Sequence, residues 1–287
     1  MRKKKFSSLR TSKYVFALPG FCFFAFAILI PFLMGVNIAF TDWNGITKDY
    51  NYVGFKNFID MFQDKRILQP MRNTLIFALL GVTGNNIIAL SCALLVNQKS
   101  SKLGSVAKVI FFMPVCFSAI LSSFLWGFIY REVFSQLFAI KNLLGNKSLV
   151  IPAITAIGLW NSCGINMLIY LSGLKSIPTD LYEAATVDGA TAVQKFFRVT
   201  MPLLMPSFSV CVTLTLTSWL REFAMTLAST GGGPGGASRT ISIYIYENLY
   251  KYSKAGYGQA VSLLFALFLI LIGNVVSTFF RKREVEL

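Results

Sequence analysis

The sequence predicts an all-α membrane protein with six transmembrane helices. Of its 287 residues, 55% are hydrophobic and only 14% are charged, whereas soluble globular domains carry about 25% charged residues. Six segments are long and apolar enough to cross a bilayer as helices, which takes about 20 residues each. This composition disfavours both a soluble enzyme and a disordered chain.

The six predicted spans are apolar runs separated by short polar or basic segments. They cover about residues 14–40, 74–97, 107–130, 149–172, 203–228 and 258–280. The first run contains Pro19 and Pro31, which predict a kink because proline cannot donate the helical hydrogen bond. No segment between the spans is long enough for a soluble domain, so we expect residues 1–287 to form one transmembrane domain.

The charge distribution predicts the orientation of the chain. The net charge is +15, from 27 Lys and Arg against 12 Asp and Glu. Such a balance can indicate nucleic-acid binding, but basic residues concentrate at 2–5, 98–108 and 281–283. Basic segments beside spans are typical of the cytoplasmic side. We therefore expect a membrane protein with both termini in the cytoplasm and no nucleic-acid partner.

The residue types available exclude several kinds of chemistry. The chain has no histidine, which excludes histidine-ligated metals and Ser-His or Cys-His catalytic pairs. Its five cysteines lie in apolar runs, with no CxxC pair, and are expected to be small buried hydrophobes. The sequence therefore predicts no metal site and no enzymatic activity. An intramembrane enzyme is correspondingly disfavoured.

One predicted cytoplasmic segment, 176–206, differs from the other connections. It reads SIPTDLYEAATVDGATAVQKFFRVTMPLLMP. Gly189 is a natural break between two short helices, and Phe196 and Phe197 lie on the apolar face of the second. Aromatic residues exposed on a cytoplasmic loop indicate docking onto a partner protein. The alternative is an interfacial helix that lies on the bilayer.

This segment resembles the EAA motif of ABC importer permeases. The matching residues are Glu183, Ala184, Ala185, Gly189, Val199, Met201 and Pro202. Val199 and Met201 replace the isoleucine and leucine of the family pattern but remain apolar. Other stretches follow in the family's order, among them VGFKNF at 53–58, NMLIYLSGLKSIP at 166–178 and STGGGPGGASRT at 229–240. Nearly the whole chain is thus similar to carbohydrate-uptake permeases of the maltose and multiple-sugar or raffinose types.

The resemblance implies a fold, a set of partners and a substrate class. The fold is that of a type I ABC importer permease, which pairs with a second permease subunit as a heterodimer. Two copies of a P-loop ATPase bind ATP and Mg, so no cofactor is expected in this chain. An extracellular solute-binding protein delivers a sugar, such as an oligosaccharide of the raffinose type. Alternatives are an importer of glycerol phosphate or a polyol, or a stand-alone secondary carrier.

The resemblance also implies that segment 176–206 couples the permease to the ATPase. The implied contact residues are Glu183, Ala184, Ala185, Asp188, Gly189, Phe196, Phe197 and Pro202. Glu183 is expected to make polar contacts to the ATPase, and Gly189 to supply the tight turn.

Polar and aromatic residues inside the spans are candidates for the substrate pathway, since such residues are costly in a membrane. The candidates are Trp160, Asn161, Asn166, Trp219, Arg221 and Glu222. Hydrogen bonding between packed helices is the alternative role for the two asparagines. The adjacent charges of Arg221 and Glu222 need a partner or water, and Glu222 is the one acid that a secondary carrier could use for ion coupling. The glycine-rich stretch 230–234 is expected to be a flexible extracellular loop that packs near the pathway or contacts the binding protein.

Overall fold

The computed structural model describes residues 17–97, 102–138 and 142–283. Throughout these residues the structure is helical, apart from loops and one isolated antiparallel bridge between Thr41 and Tyr52. Four of the described helices are long and apolar enough to cross a membrane, or six spans result if each of two bent pairs counts as one. The basic residues 2–5 and Lys99, which contribute to the predicted orientation, lie outside the described residues.

The helices are numbered here in chain order. They are α1 Ala17–Ile38, α2 Lys56–Gln63, α3 Leu68–Asn97, α4 Lys102–Phe112, α5 Ala119–Phe128, α6 Val150–Ser176, α7 Thr179–Val187, α8 Ala192–Lys195, α9 Met205–Leu220, α10 Ala224–Thr230, α11 Ile241–Tyr246 and α12 Ala255–Arg281. π-Helical turns lie within α1 and directly after α5, α8 and α11, at Ala25–Leu29, Ile129–Phe134, Phe196–Thr200 and Glu247–Lys251.

Two of the predicted spans differ from a single straight helix. The third is bent by 102° between Gly104–Cys116 and Ala119–Leu137. The fifth begins at a bend of 69°, where Met205–Leu220 meets the helix Ala192–Leu203 of segment 176–206. Pro114 lies in the 3₁₀ turn that precedes the first bend, and Ser118 caps the helix that follows it by accepting a hydrogen bond from the N–H of Leu121. Because proline lacks an N–H, it favours a break at such a place. The fifth span also ends at Leu220 rather than near residue 228, since α10 is a separate helix.

The chain forms two compact units. The first contains the described residues up to Asp64 together with Ile245–Leu264. In it, the side-chain amide of Asn57 donates to the carbonyl oxygens of Ala39 and Thr41, both at 2.8 Å. The backbone N–H of Asn51 lies 2.7 Å from Oδ1 of Asp42 and lowers the pKa of that carboxyl below its usual value. These bonds define the loop that follows α1.

The second unit contains Lys65–Tyr244 and the chain from Phe265 onward. Its core is the packing of α3 against α6, with α9 against both. Trp219 of α9 is buried there, and glycines let it approach the other two helices. A Cβ atom at Gly81 of α3 or at Gly158 of α6 would overlap the Trp219 indole. The two glycines therefore create the space that this indole fills.

The glycine-rich loop after α10 is held by many hydrogen bonds, in contrast to the flexible loop that its composition predicts. The side-chain amide of Asn73, at the start of α3, donates to the carbonyl oxygens of Gly236 at 3.1 Å and Arg239 at 3.0 Å. The hydroxyl of Ser238 is fully buried and donates to the carbonyl oxygen of Gly233 at 2.7 Å. The loop thus has a defined conformation anchored to α3.

Candidate functional site

Segment 176–206 folds into α7 and α8 joined by a tight turn at Asp188–Ala190. Gly189 has φ +72°, in the left-handed region. The N–H of Ala190 donates to the carbonyl oxygen of Ala185 at 2.9 Å, and that of Gly189 to Thr186 at 3.0 Å. This pair of bonds is the Schellman motif, in which a left-handed glycine ends a helix. The glycine therefore sets the direction in which α8 leaves.

Side chains fix α8 against α7 after the turn. Thr191 and Gln194 form a capping box: the N–H of Thr191 donates to Oε1 of Gln194 at 2.8 Å, and the N–H of Gln194 to the Thr191 hydroxyl at 3.3 Å. The ammonium group of Lys195 donates to the hydroxyl of Thr186 at 2.7 Å. The helix pair is thus organised by its own sequence. The T-x-x-Q pattern is a recognisable capping-box signal, although the sequence analysis did not use it.

The helix pair exposes apolar side chains together with one carboxylate. Val187, Val193 and Phe197 are 88%, 66% and 64% exposed, and Glu183 is exposed without a hydrogen bond or ion pair to any described residue. The remaining members of the predicted coupling set are divided: Ala184, Asp188 and Gly189 are exposed, whereas Ala185, Phe196 and Pro202 are half-buried. A compact pair of helices with an apolar surface has the character of a docking element.

Asn161, a predicted pathway residue, binds the bend in the third span. Its side-chain amide donates to the carbonyl oxygens of Pro114 at 2.9 Å and Phe117 at 3.0 Å, and to the hydroxyl of Ser122 at 3.0 Å. Two of these three acceptors are backbone carbonyl groups at the break between α4 and α5, where the helical hydrogen-bond pattern is interrupted. The geometry therefore gives Asn161 a structural role.

We expect Asn161→Leu to lower the thermal stability of the purified protein in detergent. Loss of its hydrogen bonds would cost about 1–3 kcal/mol, since a single bond between membrane helices contributes roughly 0.6 kcal/mol on average and carbonyl groups would be left unsatisfied. Thr83→Val is the matched control, because Thr83 is exposed and its hydroxyl donates within its own helix. An unfolding temperature equal to that of the control would contradict the structural role.

Asn166 belongs to a buried hydrogen-bond network between α3, α6 and α9. Its amide donates to Oδ1 of Asn85 at 2.5 Å, and the amide of Asn85 donates to Ser162 at 2.7 Å. The neighbouring Asn86 donates to Thr215 at 3.1 Å and accepts from the hydroxyl of Tyr170 at 2.6 Å. All three asparagines are at most 6% exposed. Satisfied and buried, they stabilise helix packing.

The two candidate tryptophans lie in different surroundings. Trp160 is half-buried and stacks on Phe117 with ring centroids 5.9 Å apart, and Trp126 meets it edge-on at 5.8 Å. Trp219 is only 6% exposed because Gly81 and Gly158 enclose it. Trp160 therefore keeps an accessible face, whereas Trp219 belongs to the core.

Arg221 and Glu222 are adjacent in sequence but make different contacts. The carboxylate of Glu222 accepts from the N–H groups of Met225 and Thr226, both at 3.0 Å, and so caps α10. Arg221 is exposed, and its Nε donates to the carbonyl oxygen of Thr217 at 3.1 Å. Arg221 also lines a groove between α9 and α12 to which Asn274 and Ser277 contribute. Asn274 and Ser277 could not be predicted as groove residues from the sequence, because a polar side chain in a terminal span carries no local signal of what faces it.

Comparison with known proteins gives both family and fold. The family model for inner membrane components of binding-protein-dependent transport systems matches residues 85–283. The probable starch degradation products transport system permease protein AmyD of Thermoanaerobacterium thermosulfurigenes is 30% identical, covering 100% of this chain and 99% of that protein. The multiple sugar-binding transport system permease protein MsmF of Streptococcus mutans is 29% identical, covering 89% and 90%. These relatives are transporter subunits rather than enzymes.

A solved structure shares the fold over nearly its whole length. It is a bacterial ABC transporter involved in the import of the acidic polysaccharide alginate, with a TM-score of 0.82 at 22% sequence identity. The match covers 98% of this chain and 99% of that one. The fold is therefore that of an ABC importer permease, as the sequence predicts.

Proposed function

The chain belongs to the family of binding-protein-dependent transport system inner membrane components, and we propose that it is the permease subunit of an ATP-driven sugar importer. It forms half of the solute pathway, and a second permease subunit forms the other half. Two P-loop ATPase subunits bind ATP and Mg beneath them, and an extracellular binding protein delivers the solute. Both termini lie in the cytoplasm, on the side of the ATPases.

The observation that carries the coupling role is the helix pair α7–α8. Its turn is defined by the Schellman motif and the capping box, and its exposed surface combines Val187, Val193 and Phe197 with the unpaired carboxylate of Glu183. Such an element can transmit a displacement because its two helices move together. ATP would then switch the pathway by binding one arrangement of the ATPase dimer more tightly than the other.

The sugar assignment is supported by the relatives. The two permeases described above are named for starch degradation products and for multiple sugars, and they match this chain over at least 89% of its length. An oligosaccharide is therefore the proposed substrate class, with a raffinose-type α-galactoside as a specific candidate.

The test of this function is purification of the tagged chain from its native membrane in mild detergent, followed by mass spectrometry. We expect a second six-span subunit and a P-loop ATPase to co-purify in a fixed ratio, and the complex in liposomes to take up sugar only with ATP and binding protein. A chain that purifies alone and still moves solute would support a secondary carrier instead.

Phe197→Ser should reduce co-purification of the ATPase several-fold, because it removes a large apolar side chain from the docking surface. Ile46→Ser is the matched control: Ile46 is 78% exposed but lies in the loop after α1, predicted to be extracellular. The readout is the ratio of ATPase to permease in the purified complex. Equal ratios for the two variants would place the ATPase contact elsewhere.

A further inference from the structure

The groove between α9 and α12 combines polar groups at a depth where a membrane helix usually meets lipid. Its volume is about 660 Å³, and its polar lining consists of Thr213 and Thr217 on α9, Arg221 directly after α9, and Asn274 and Ser277 on α12. Ala266 also lines it, eleven residues after α12 begins at Ala255. At about 1.5 Å per residue, this places the outer part of the groove roughly 16 Å below the start of the helix. The groove thus lies inside the span.

Exposure of these side chains to lipid is energetically unfavourable. An arginine in the hydrocarbon region costs up to about 2.5–3.5 kcal/mol on the mildest scale, the value at the centre of a membrane helix; Arg221 directly follows Leu220, where α9 ends. Long basic side chains can escape by extending to the interface, but the Nε of Arg221 donates to the carbonyl oxygen of Thr217, one turn earlier on α9. That bond directs the guanidinium back along the groove. Asn274 is exposed on the facing helix, so the groove needs water or a polar ligand.

The charge of the groove indicates which ligand it takes. None of the described residues that line it is acidic, and the nearby carboxylate of Glu222 is used to cap α10. The remaining N–H groups of the Arg221 guanidinium have no partner among the described residues. A guanidinium pairs best with a carboxylate, through two parallel hydrogen bonds, and the hydroxyl and amide groups around it suit a sugar ring.

We propose that the groove between α9 and α12 is a water-filled part of the solute pathway, and that Arg221 binds the carboxylate of an acidic sugar. The inference rests on the proposed transport function; it narrows the substrate class to sugars that carry a carboxylate and replaces the neutral raffinose-type candidate. Thr213, Thr217 and Asn274 then hydrogen-bond the hydroxyl groups of the same solute, while Arg221 selects for its charge.

The test uses the complete transporter with its ATPase, carrying Asn274→Cys in a background without the native cysteines. The rates at which an anionic and a cationic methanethiosulfonate reagent modify the cysteine at position 274 are measured. Each rate is divided by the rate of the same reagent with a free thiol in solution. We expect the anionic reagent to be favoured roughly fivefold or more, because the guanidinium of Arg221 lines the same groove and a cation attracts an anionic reagent. Arg221→Gln should remove the preference and Arg221→Lys should retain it. Val275→Cys, one residue along and outside the groove lining, is the matched control and should react slowly with both.

A sugar pair then tests the ligand class. D-galacturonate should slow labelling of the cysteine at position 274 at least threefold, whereas D-galactose with sodium chloride at the same ionic strength should not. Equal protection by both sugars, or by neither, would overturn the acidic-sugar assignment. A cysteine that stays unreactive in a transporter that still contains the ATPase would overturn the groove as a pathway and leave the proposed function intact. Absence of the ATPase from the preparation would instead count against the proposed function.

Discussion

Replacing Gly189 with valine is expected to abolish ATP-driven sugar uptake while the protein remains inserted in the membrane. Gly189 adopts φ +72°, a conformation that costs other L residues about 1–2 kcal/mol and β-branched residues more. This free-energy cost destabilises the turn that sets the position of α8 relative to α7. Uptake into liposomes and the amount of inserted protein are measured on the same preparation.

Gly189→Asn tests whether uptake depends on the left-handed backbone conformation at position 189 or on the absence of a side chain there. Asparagine tolerates the left-handed region, and a Cβ atom at this position would have no neighbour within 4 Å in this chain. We therefore expect Asn to preserve most of the uptake. If Asn and Val both abolish uptake, a partner surface must approach the glycine closely; if both preserve it, the turn does not need the left-handed conformation.

Gly158→Ala should strongly destabilise the second unit. The added methyl group would overlap the indole of Trp219, and the Cβ would also lie 3.0 Å from another of its ring carbons, Cζ2. Trp219 is buried and cannot move away freely, so the overpacking should cost about 1–3 kcal/mol or more. The measurement is the unfolding temperature of the purified complex, together with the yield of monodisperse protein.

Two further variants test this explanation. Gly127→Ala on α5 adds the same methyl group where nothing lies within 4 Å, and should be neutral or slightly stabilising because alanine favours the helix. The double variant Gly158→Ala with Trp219→Leu should lose less stability than the sum of the losses in the two single variants, since the smaller side chain leaves room for the methyl group. Additive losses in the double variant would show that the two residues act independently.

The parts of the fold that follow from local sequence could be predicted, and the parts that depend on distant partners could not. The apolar runs located α1, α6 and α12 to within a few residues, and Gly189 located the break between α7 and α8. The bend of the third span was not predicted. Pro114 permits that bend, but Asn161, 47 residues further along the chain, satisfies its carbonyl group. Sequence spacing does not reveal this contact.

The candidate site shows the same division. Segment 176–206 is a local motif, so its two helices and the turn at Gly189 could be predicted from the sequence, whereas its coupling role stays a prediction. Asn161, Asn166 and Glu222 were grouped as pathway candidates because polarity within a span indicates function, yet the structure gives each a hydrogen-bonding role in the fold. Arg221 remains a pathway candidate because it is exposed and lines the groove between α9 and α12.

The contact between Asn73 and the glycine-rich loop has a consequence for the biogenesis of the protein. Its two hydrogen bonds join residues 163 and 166 positions apart. During synthesis, α3 enters the membrane long before residues 236–239 emerge from the ribosome, so Asn73 lacks these hydrogen bonds until then. Contacts between such distant segments form late in folding. This end of the second unit is therefore completed only when most of the chain has been made, and a chain truncated before residue 236 would expose the N-terminal end of α3 to quality-control proteases.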